Sequence, residues 1–278
     1  MSNNLKIIII LSTIIVLILG LYGLKNSKTN NKYNFKVHFF NVGKADCILI
    51  SNNDKYIMID TGEESASSEL LTYFRNNNIT KLEYLIITHF DKDHVGSAAA
   101  IIDNIEISNI LQSNCPKESE YYTNYINSLA NKNLMAQTIS GEMSFILEDL
   151  KIVINGPTDI YERNESNNSS LIVSINYDDT NYLFMGDSQN DRIKDYLSEH
   201  GSDTYDFIKI PYHGHYQKKL DNLLETVKPS YAVITCSNNE KEDDETIELL
   251  NELNIKYYLT RNGSITLLSD GKDITMKQ

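Results

Sequence analysis

The sequence predicts an α/β fold in which two sheets pack together with helices on their outer faces. Three observations predict it. Short apolar runs separated by turns follow one another from Phe35. Farther along, such runs alternate with segments of helical spacing. Residues suited to metal chemistry recur where the apolar runs end. With 278 residues, 41% of them hydrophobic, the chain can bury the core of one large domain or two small ones.

Ile7 to Leu24 carries no charge and is apolar except for Ser12, Thr13, Gly20, Tyr22 and Gly23. At 1.5 Å per residue a helix of this length spans about 30 Å, the thickness of a bilayer core. It exceeds the apolar region of a signal peptide and has no clear small-residue cleavage site after it, which favours an uncleaved signal anchor over a cleaved signal peptide. Lys25, Lys28 and Lys32 follow the segment and only Lys6 precedes it, so charge alone opposes an outside C-terminal domain. Long domains translocate largely regardless of charge. The expectation is therefore residues 1–24 as anchor or signal, 25–34 as a polar linker, and 35–278 as a domain held outside the cell membrane or secreted.

Lys36 to Val42, Cys47 to Ile50 and Tyr56 to Ile59 read as strands, the last running into Asp60-Thr61-Gly62. Leu70 to Phe74 has helical spacing with Ser67 or Ser68 as N-cap. Tyr84 to Ile87 is a buried strand and Gly96 to Ala100 opens a helix. A strand over Ile107 to Leu111, a surface helix over Glu118 to Leu129 with Tyr121, Tyr122 and Tyr125, and a strand over Lys151 to Asn155 come next. Those tyrosines read first as half-buried packing and second as a stacking surface. Glu162 to Ser169 is polar enough to be a loop, and Leu171 to Tyr177 with Tyr182 to Met185 form a hairpin. Helices at 191–197, about 220–226 and 243–253 then alternate with strands at 207–210 and 231–235, and strands near Tyr257, Ile265 and Ile274 close the chain.

Between the strand ending at Ile87 and the helix after Gly96, six residues hold His89, Asp91, Asp93 and His94. Imidazoles and carboxylates together suit a divalent transition metal, and strand-to-helix corners are rigid places to build such a site. The bland reading is a solvated loop. Asp187 and His213 weaken it, since each follows an apolar strand and precedes a helix, so both can converge on the same sheet edge.

The formal net charge is −13. Lys6, Lys25, Lys28 and Lys32 are the only charges in the first 32 residues, so the rest of the chain carries −17. Such a surface argues against broad binding of duplex DNA, although a metal or a local patch can still hold a phosphate. Cys47, Cys115 and Cys236 are widely spaced and odd in number, which implies neither a disulfide framework nor a zinc ribbon.

The sequence resembles the metallo-beta-lactamase superfamily, and within it the hydrolase domain of ComEC-type competence proteins. The resemblance rests on Asn41 to Asp46, Ile59 to Gly62, Thr88 to Gly96, Phe184 to Asp187 and Ile210 to Gly214, with a weaker match at Asn167 to Leu171. It implies an αββα four-layer sandwich with two divalent ions, zinc or manganese. It places His89 and Asp91 on one ion, Asp93, His94 and His213 on the other, and Asp187 between them. Asp60 would sit behind the ligands and accept the free ring N–H of a histidine. The implied reaction is hydrolysis of a phosphodiester by a metal-bound hydroxide, with Asp93 also orienting the water. Asp91, in place of a more common histidine, makes the site oxygen-rich and favours manganese.

Three departures bear on the substrate. Tyr212 stands where the family has a phosphate-facing histidine, and His215 is the candidate to compensate. The acidic run Glu240 to Asp243 replaces a stretch with arginine and histidine, and would repel a polyanion. Asn167 and Ser170 replace a histidine ligand and are candidates for substrate contact. The expected substrates are DNA, single-stranded DNA among them, or a smaller phosphodiester. Asp91 and the Gly186-Asp187 pair argue against a lactamase. The competing reading is a catalytically degraded metal-binding module anchored to the membrane.

Overall fold

Alternating burial along Phe35–Phe39 (β1) marks the first inner strand of a two-sheet core, with Phe35, Val37 and Phe39 turned inward. The computed structural model describes residues 33–158, 160–162 and 165–278. The expected segment over 1–24, nearly all of the 25–34 linker, and Arg163 and Asn164 of the polar tract lie outside the described residues. Among the described residues no helix is long and apolar enough to cross a membrane.

One sheet joins β1 to β2 (Cys47–Asn52), β3 (Lys55–Thr61), β4 (Lys81–Ile87), β5 (Glu106–Gln112) and β6 (Ala136–Thr138) on one side, and to β14 (Ile265–Ser269) and β15 (Ile274–Lys277) on the other. The second runs β13 (Lys256–Leu259), β12 (Tyr231–Ile234), β11 (Phe207–Lys209), β10 (Thr180–Phe184), β9 (Ile172–Tyr177), β8 (Leu150–Gly156), β7 (Gly141–Leu147). Inner faces meet in one apolar layer, where Phe39 lies 5.5 Å from Phe207 and 6.3 Å from Phe184 between ring centroids.

Two further apolar layers lie outside. Helices α1 (Ser67–Asn76), α3 (Ala98–Asn104) and α4 (Glu120–Lys132) cover the first sheet through Leu70, Phe74, Ile101, Tyr125 and Leu129. Helices α6 (Asn190–His200), α7 (Lys219–Val227) and α8 (Asp244–Glu252) cover the second through Ile193, Tyr196, Leu220, Leu224 and Leu250. The order helix, sheet, sheet, helix is the expected four-layer sandwich.

Strands β3, β4 and β5 run parallel, as do β10, β11, β12 and β13. Their carboxyl ends gather at one edge of the sandwich, the usual position for a site in such sheets. Four elements depart from expectation. Strands β6 and β7 leave only a weak apolar pattern in the sequence, because edge strands bury little; Ile146 of β7 is 75% exposed. The expected loop at 162–169 contains one helical turn, α5 (Glu165–Asn168). Its order has a cause: Asn168 Oδ1 accepts from the backbone N–H groups of Gln189 and Arg192, at 3.1 and 3.3 Å. The N-cap of α1 is Ala66, which makes no side-chain cap, rather than Ser67 or Ser68.

Candidate metal centre

Each metal-type residue enters from a strand end. His89 follows β4, and Asp93 and His94 lie on the single turn α2 (Lys92–Val95). Asp60 sits at the end of β3 with φ +54°, Asp187 follows β10 through Gly186, and His213 follows β11. Tyr212 and His213 both adopt left-handed backbone, φ +50° and +53°, and Gly214 extends the run at +79°. For non-glycine residues this conformation costs about 1–2 kcal/mol each, and it is retained here at the point that aims a histidine inward. Gly96, just after α2, is required by space: a Cβ there would stand 2.4 Å from Lys92 O and 2.5 Å from Glu64 N.

The side chains converge. Asp93, His94, Asp187 and His213 each offer one ligand atom, all within 4.8 Å of one another. Asp187 Oδ2 lies 3.3 Å from His94 Nε2 and 3.2 Å from His213 Nε2, and Asp93 Oδ2 is 3.4 Å from His213 Nε2. His94, His213 and Asp187 are buried, while Asp93 is 14% exposed toward a cavity. His89 stacks obliquely on His94, with ring centroids 4.0 Å apart, and its Nε2 is 3.9 Å from Asp91 Oδ1.

Hydrogen bonds fix how the three rings present themselves. His94 Nδ1 donates to Asp60 Oδ2 at 2.7 Å. His213 Nδ1 donates to the Thr235 carbonyl at 2.9 Å. Thr88 Oγ1 spends its proton on Asp60 Oδ2 at 2.6 Å, so the 3.1 Å contact with His89 Nδ1 has the imidazole as donor. With every Nδ1 donating outward, each neutral ring turns an Nε2 lone pair into the centre. His89 Nε2, His94 Nε2, His213 Nε2 and Asp187 Oδ1 are all buried without a hydrogen-bond partner. Orphaned acceptors of this kind are costly unless a cation or proton fills the space between them. The donor set of imidazole and carboxylate fits a divalent transition metal, so the residues fit the ion that the sequence resemblance implies.

Charge points the same way. Asp46, Asp60 and Asp187 are buried and Asp93 nearly so. The buried cation facing them among the described residues is Lys209, which pairs with Asp46, donates to Gly186 O at 3.1 Å and lies 3.7 Å from Asp187 Oδ1. Burial opposes ionisation of Asp187, but His213 and His94 outweigh it and hold its carboxyl well below the usual range. Conversely, burial disfavours a charge on His94, yet Asp187 and Asp60 push its pKa well above the ordinary value; His213 is raised in the same way, chiefly by Asp187. His89 is the exception. Burial, helped by the charge of His94, lowers it to about 4. The two rings that flank Asp187 are thus the ones that favour a proton.

The expected site residues fall into two groups. Asp60, Asp93, His94, Asp187 and His213 form the buried cluster, with His89 against it. Asp91 faces His89 but accepts hydrogen bonds from Lys117 Nζ, at 2.6 Å, and from Ser166 Oγ. Asn167 lines the adjoining cavity. Ser170 is fully buried and accepts from the Asp187 N–H at 3.1 Å. His215 stands apart, paired with Asp243 at 3.2 Å, with its ring near Tyr212. Tyr125 is buried in the α4 packing, whereas Tyr121 lines the cavity.

The mouth differs from expectation. Two residues of the acidic run at 240–243 are paired within the chain while Glu240 stays exposed: Glu242 accepts from Arg261 Nη2 at 2.6 Å, and Asp243 holds His215 and the Tyr216 N–H. The cavity over Asp91, Asp93 and Asp187, about 450 Å³, is lined instead by Lys44, Lys92 and Lys117. Lys209, Thr235, Lys117 and Ser166 join the site without having been expected there. A lysine inside the apolar run Phe207-Ile208-Lys209-Ile210 is a signal for a buried ion pair; the others carry no signal in the sequence.

Comparison with known proteins agrees with this architecture. Residues 40–237 match the metallo-beta-lactamase superfamily. Recombination protein 2 of Haemophilus influenzae is 25% identical over 216 residues, 75% of this chain and 25% of that protein. ComE operon protein 3 of Bacillus subtilis is 19% identical over 252 residues, 83% of this chain and 32% of that protein. The chain therefore spans a quarter to a third of the length of these curated relatives. Among solved structures, the metallo-beta-lactamase fold protein YhfI of Bacillus subtilis superposes with a TM-score of 0.56 at 10% identity, covering 87% of this chain and 99% of that one. CmlA, a diiron beta-hydroxylase from Streptomyces venezuelae, gives 0.54 at 13% identity, covering 85% and 54%. One fold thus carries more than one chemistry, and the site has to decide.

Proposed function

The chain belongs to the metallo-beta-lactamase superfamily, and on that premise we propose that it is a metal-dependent phosphodiesterase or nuclease. The observation that carries the reading is the set of buried, unpartnered His Nε2 and Asp187 atoms beside a lysine-bearing cavity that Asp93 and Asp187 line. Asp93, His94, Asp187 and His213 would hold a divalent cation, manganese or zinc, with His89 and Asp91 as the residues available to a second. Bound there, such an ion supplies Lewis acidity and an activated water at neutral pH.

The chain's own residues supply the rest. Asp93, the cluster carboxylate with exposed surface, stays ionised; burial opposes this, but the imidazoles of His213, 3.4 Å away, and His94 outweigh it. It therefore orients a water by accepting its hydrogen bond. Lys44 Nζ lies 3.9 Å from Asp93 Oδ2, where it can face a non-bridging phosphate oxygen and stabilise charge developing there. Asp60 and Thr235 keep the histidine rings in register by holding their Nδ1 protons. Tyr121 and Tyr212 border the cavity and offer faces for a nucleobase or other ring. Supporting a DNA or nucleotide substrate are the ComEC-type relatives and the lysines of the mouth; the net charge of −13 favours short or single-stranded substrate over duplex. The uncharged apolar segment Ile7 to Leu24 motivates a membrane-linked or extracellular setting.

The test is a substrate panel with the full chain and manganese or zinc: single-stranded DNA, duplex DNA, bis-p-nitrophenyl phosphate and a beta-lactam. Cleavage of the phosphodiesters is expected, single strands ahead of duplex, with Lys44→Ala lowering kcat more than it raises KM. Turnover of the lactam alone would refute the proposal. Metal binding with no turnover would favour the degraded module.

A further inference from the structure

We propose that this centre holds one cation tightly, on Asp93, His94, Asp187 and His213, and that Lys117 competes with any second cation for Asp91. The inference rests on the metal-site reading above and concerns what the second half of that site can hold.

Four observations carry it. First, the Asp91 atom that faces His89, Oδ1, is the atom that Lys117 Nζ contacts at 2.6 Å and that Ser166 Oγ also holds. A metal reaching His89 and Asp91 together must displace or crowd that ammonium. Second, charge demand is uneven. Asp91 and Lys117 balance each other, whereas the four carboxylates of Asp46, Asp60, Asp93 and Asp187 face, among the described lysines, the buried Lys209 and the partly exposed Lys44. Third, no nitrogen ligand completes the second position from the Asn167 to Ser170 stretch. Asn168 Oδ1 caps two backbone N–H groups of the α6 terminus, and Ser170 Oγ accepts from the Asp187 N–H. Fourth, His89 alone of the three rings lacks an anionic or carbonyl partner on Nδ1; it contacts only the hydroxyls of Thr88 and Ser170, at 3.1 and 3.4 Å. It is the least supported ligand of the centre.

A lysine in this place makes the second position conditional. Lys117 lies in the chain leading to α4, with its side chain 40% exposed, so it can swing to solvent when a cation or an anionic substrate changes the local balance. Removing its charge relieves repulsion between an ammonium and a dication a few ångströms apart, an effect of at least about tenfold on the second ion even with strong solvent screening.

Manganese(II) titrated into chelator-treated full chain distinguishes the outcomes, read by calorimetry for stoichiometry and by electron paramagnetic resonance for spin coupling. Wild type should bind one ion tightly, with an isolated-ion spectrum. Lys117→Met, a change at a half-exposed side chain, should tighten a second ion at least about tenfold and introduce coupling between two spins. Lys117→Arg should keep one ion, and His213→Ala should lose the tight one. Two ions of equal affinity in wild type, or Lys117→Met with unchanged stoichiometry, would overturn the inference while leaving the metal site intact. No bound ion in either protein would overturn both.

Discussion

Replacing Lys209 with methionine tests whether the carboxylate cluster depends on an internal cation. Lys209 is fully buried beside Asp46, which is itself buried and whose carboxyl is held below its usual range, burial opposing and Lys209 outweighing. Breaking a buried pair by removing one partner costs about 3–5 kcal/mol, because the other charge is left without compensation. Asp187, 3.7 Å from the ammonium, loses a neighbouring cation as well, although His94 and His213 still face it. In a domain of this size each kcal/mol moves Tm by roughly 2–4 °C, so Lys209→Met should lower the metal-free Tm by about 10 °C. Adding Asp46→Asn should return part of that loss, since the worst-placed charge is then gone, giving a coupling energy of about 2 kcal/mol or more in a double-mutant cycle. Thermal unfolding in excess chelator provides the measurement. A loss below about 1 kcal/mol, or strict additivity of the two substitutions, would refute the idea that Lys209 neutralises the cluster.

Other consequences follow from the same geometry. Asp60→Asn removes the carboxylate that fixes His94 Nδ1–H, and metal affinity should fall by about 10- to 100-fold in a calorimetric titration. Gly96→Ala would drive a methyl into Lys92 O and Glu64 N, and should cost about 3 kcal/mol or more in urea unfolding, because the clash is with backbone. The pH profile has a defined sign. His94 and His213 have raised folded pKa values, so their contribution to metal-free stability is complete below about 6.5 and is lost as pH rises through those values. Metal-free Tm should therefore drop from pH 6.5 to 9 and metal affinity should climb over the same range, while a flat or rising metal-free Tm would contradict the assignment. Below pH 6.5 different groups take over: His38 and His89, each lowered to about 4 chiefly by burial, must gain protons, at a cost of up to about 3 kcal/mol each.

Much of this site is legible in the sequence. Two histidines and two aspartates within six residues, set between a buried strand and a helix, announce metal chemistry through their density alone. Asp187 and His213 can be joined to them because each ends a short apolar strand, and parallel strands bring their carboxyl ends together. What stays hidden is set by contacts far apart in the chain. Asp46 and Thr235 are 189 residues apart and meet at 2.6 Å behind His213. Lys117 reaches Asp91 from a loop with no pattern of its own. The mouth is misleading in sequence because the acidic run at 240–243 reads as solvent-facing, whereas Glu242 turns in to Arg261 and Asp243 to His215. Edge strands β6 and β7 escape for the reason edge strands usually do: one flank and much of one face see water.

The most direct test of the proposed centre is the initial rate of bis-p-nitrophenyl phosphate cleavage by chelator-treated full chain as manganese is restored. The expected result is no turnover without metal, a saturable rise as the ion fills the Asp93, His94, Asp187 and His213 site, and a flat line for His213→Ala across the same concentrations. Turnover that persists in excess chelator, or an unchanged rise in His213→Ala, would contradict it.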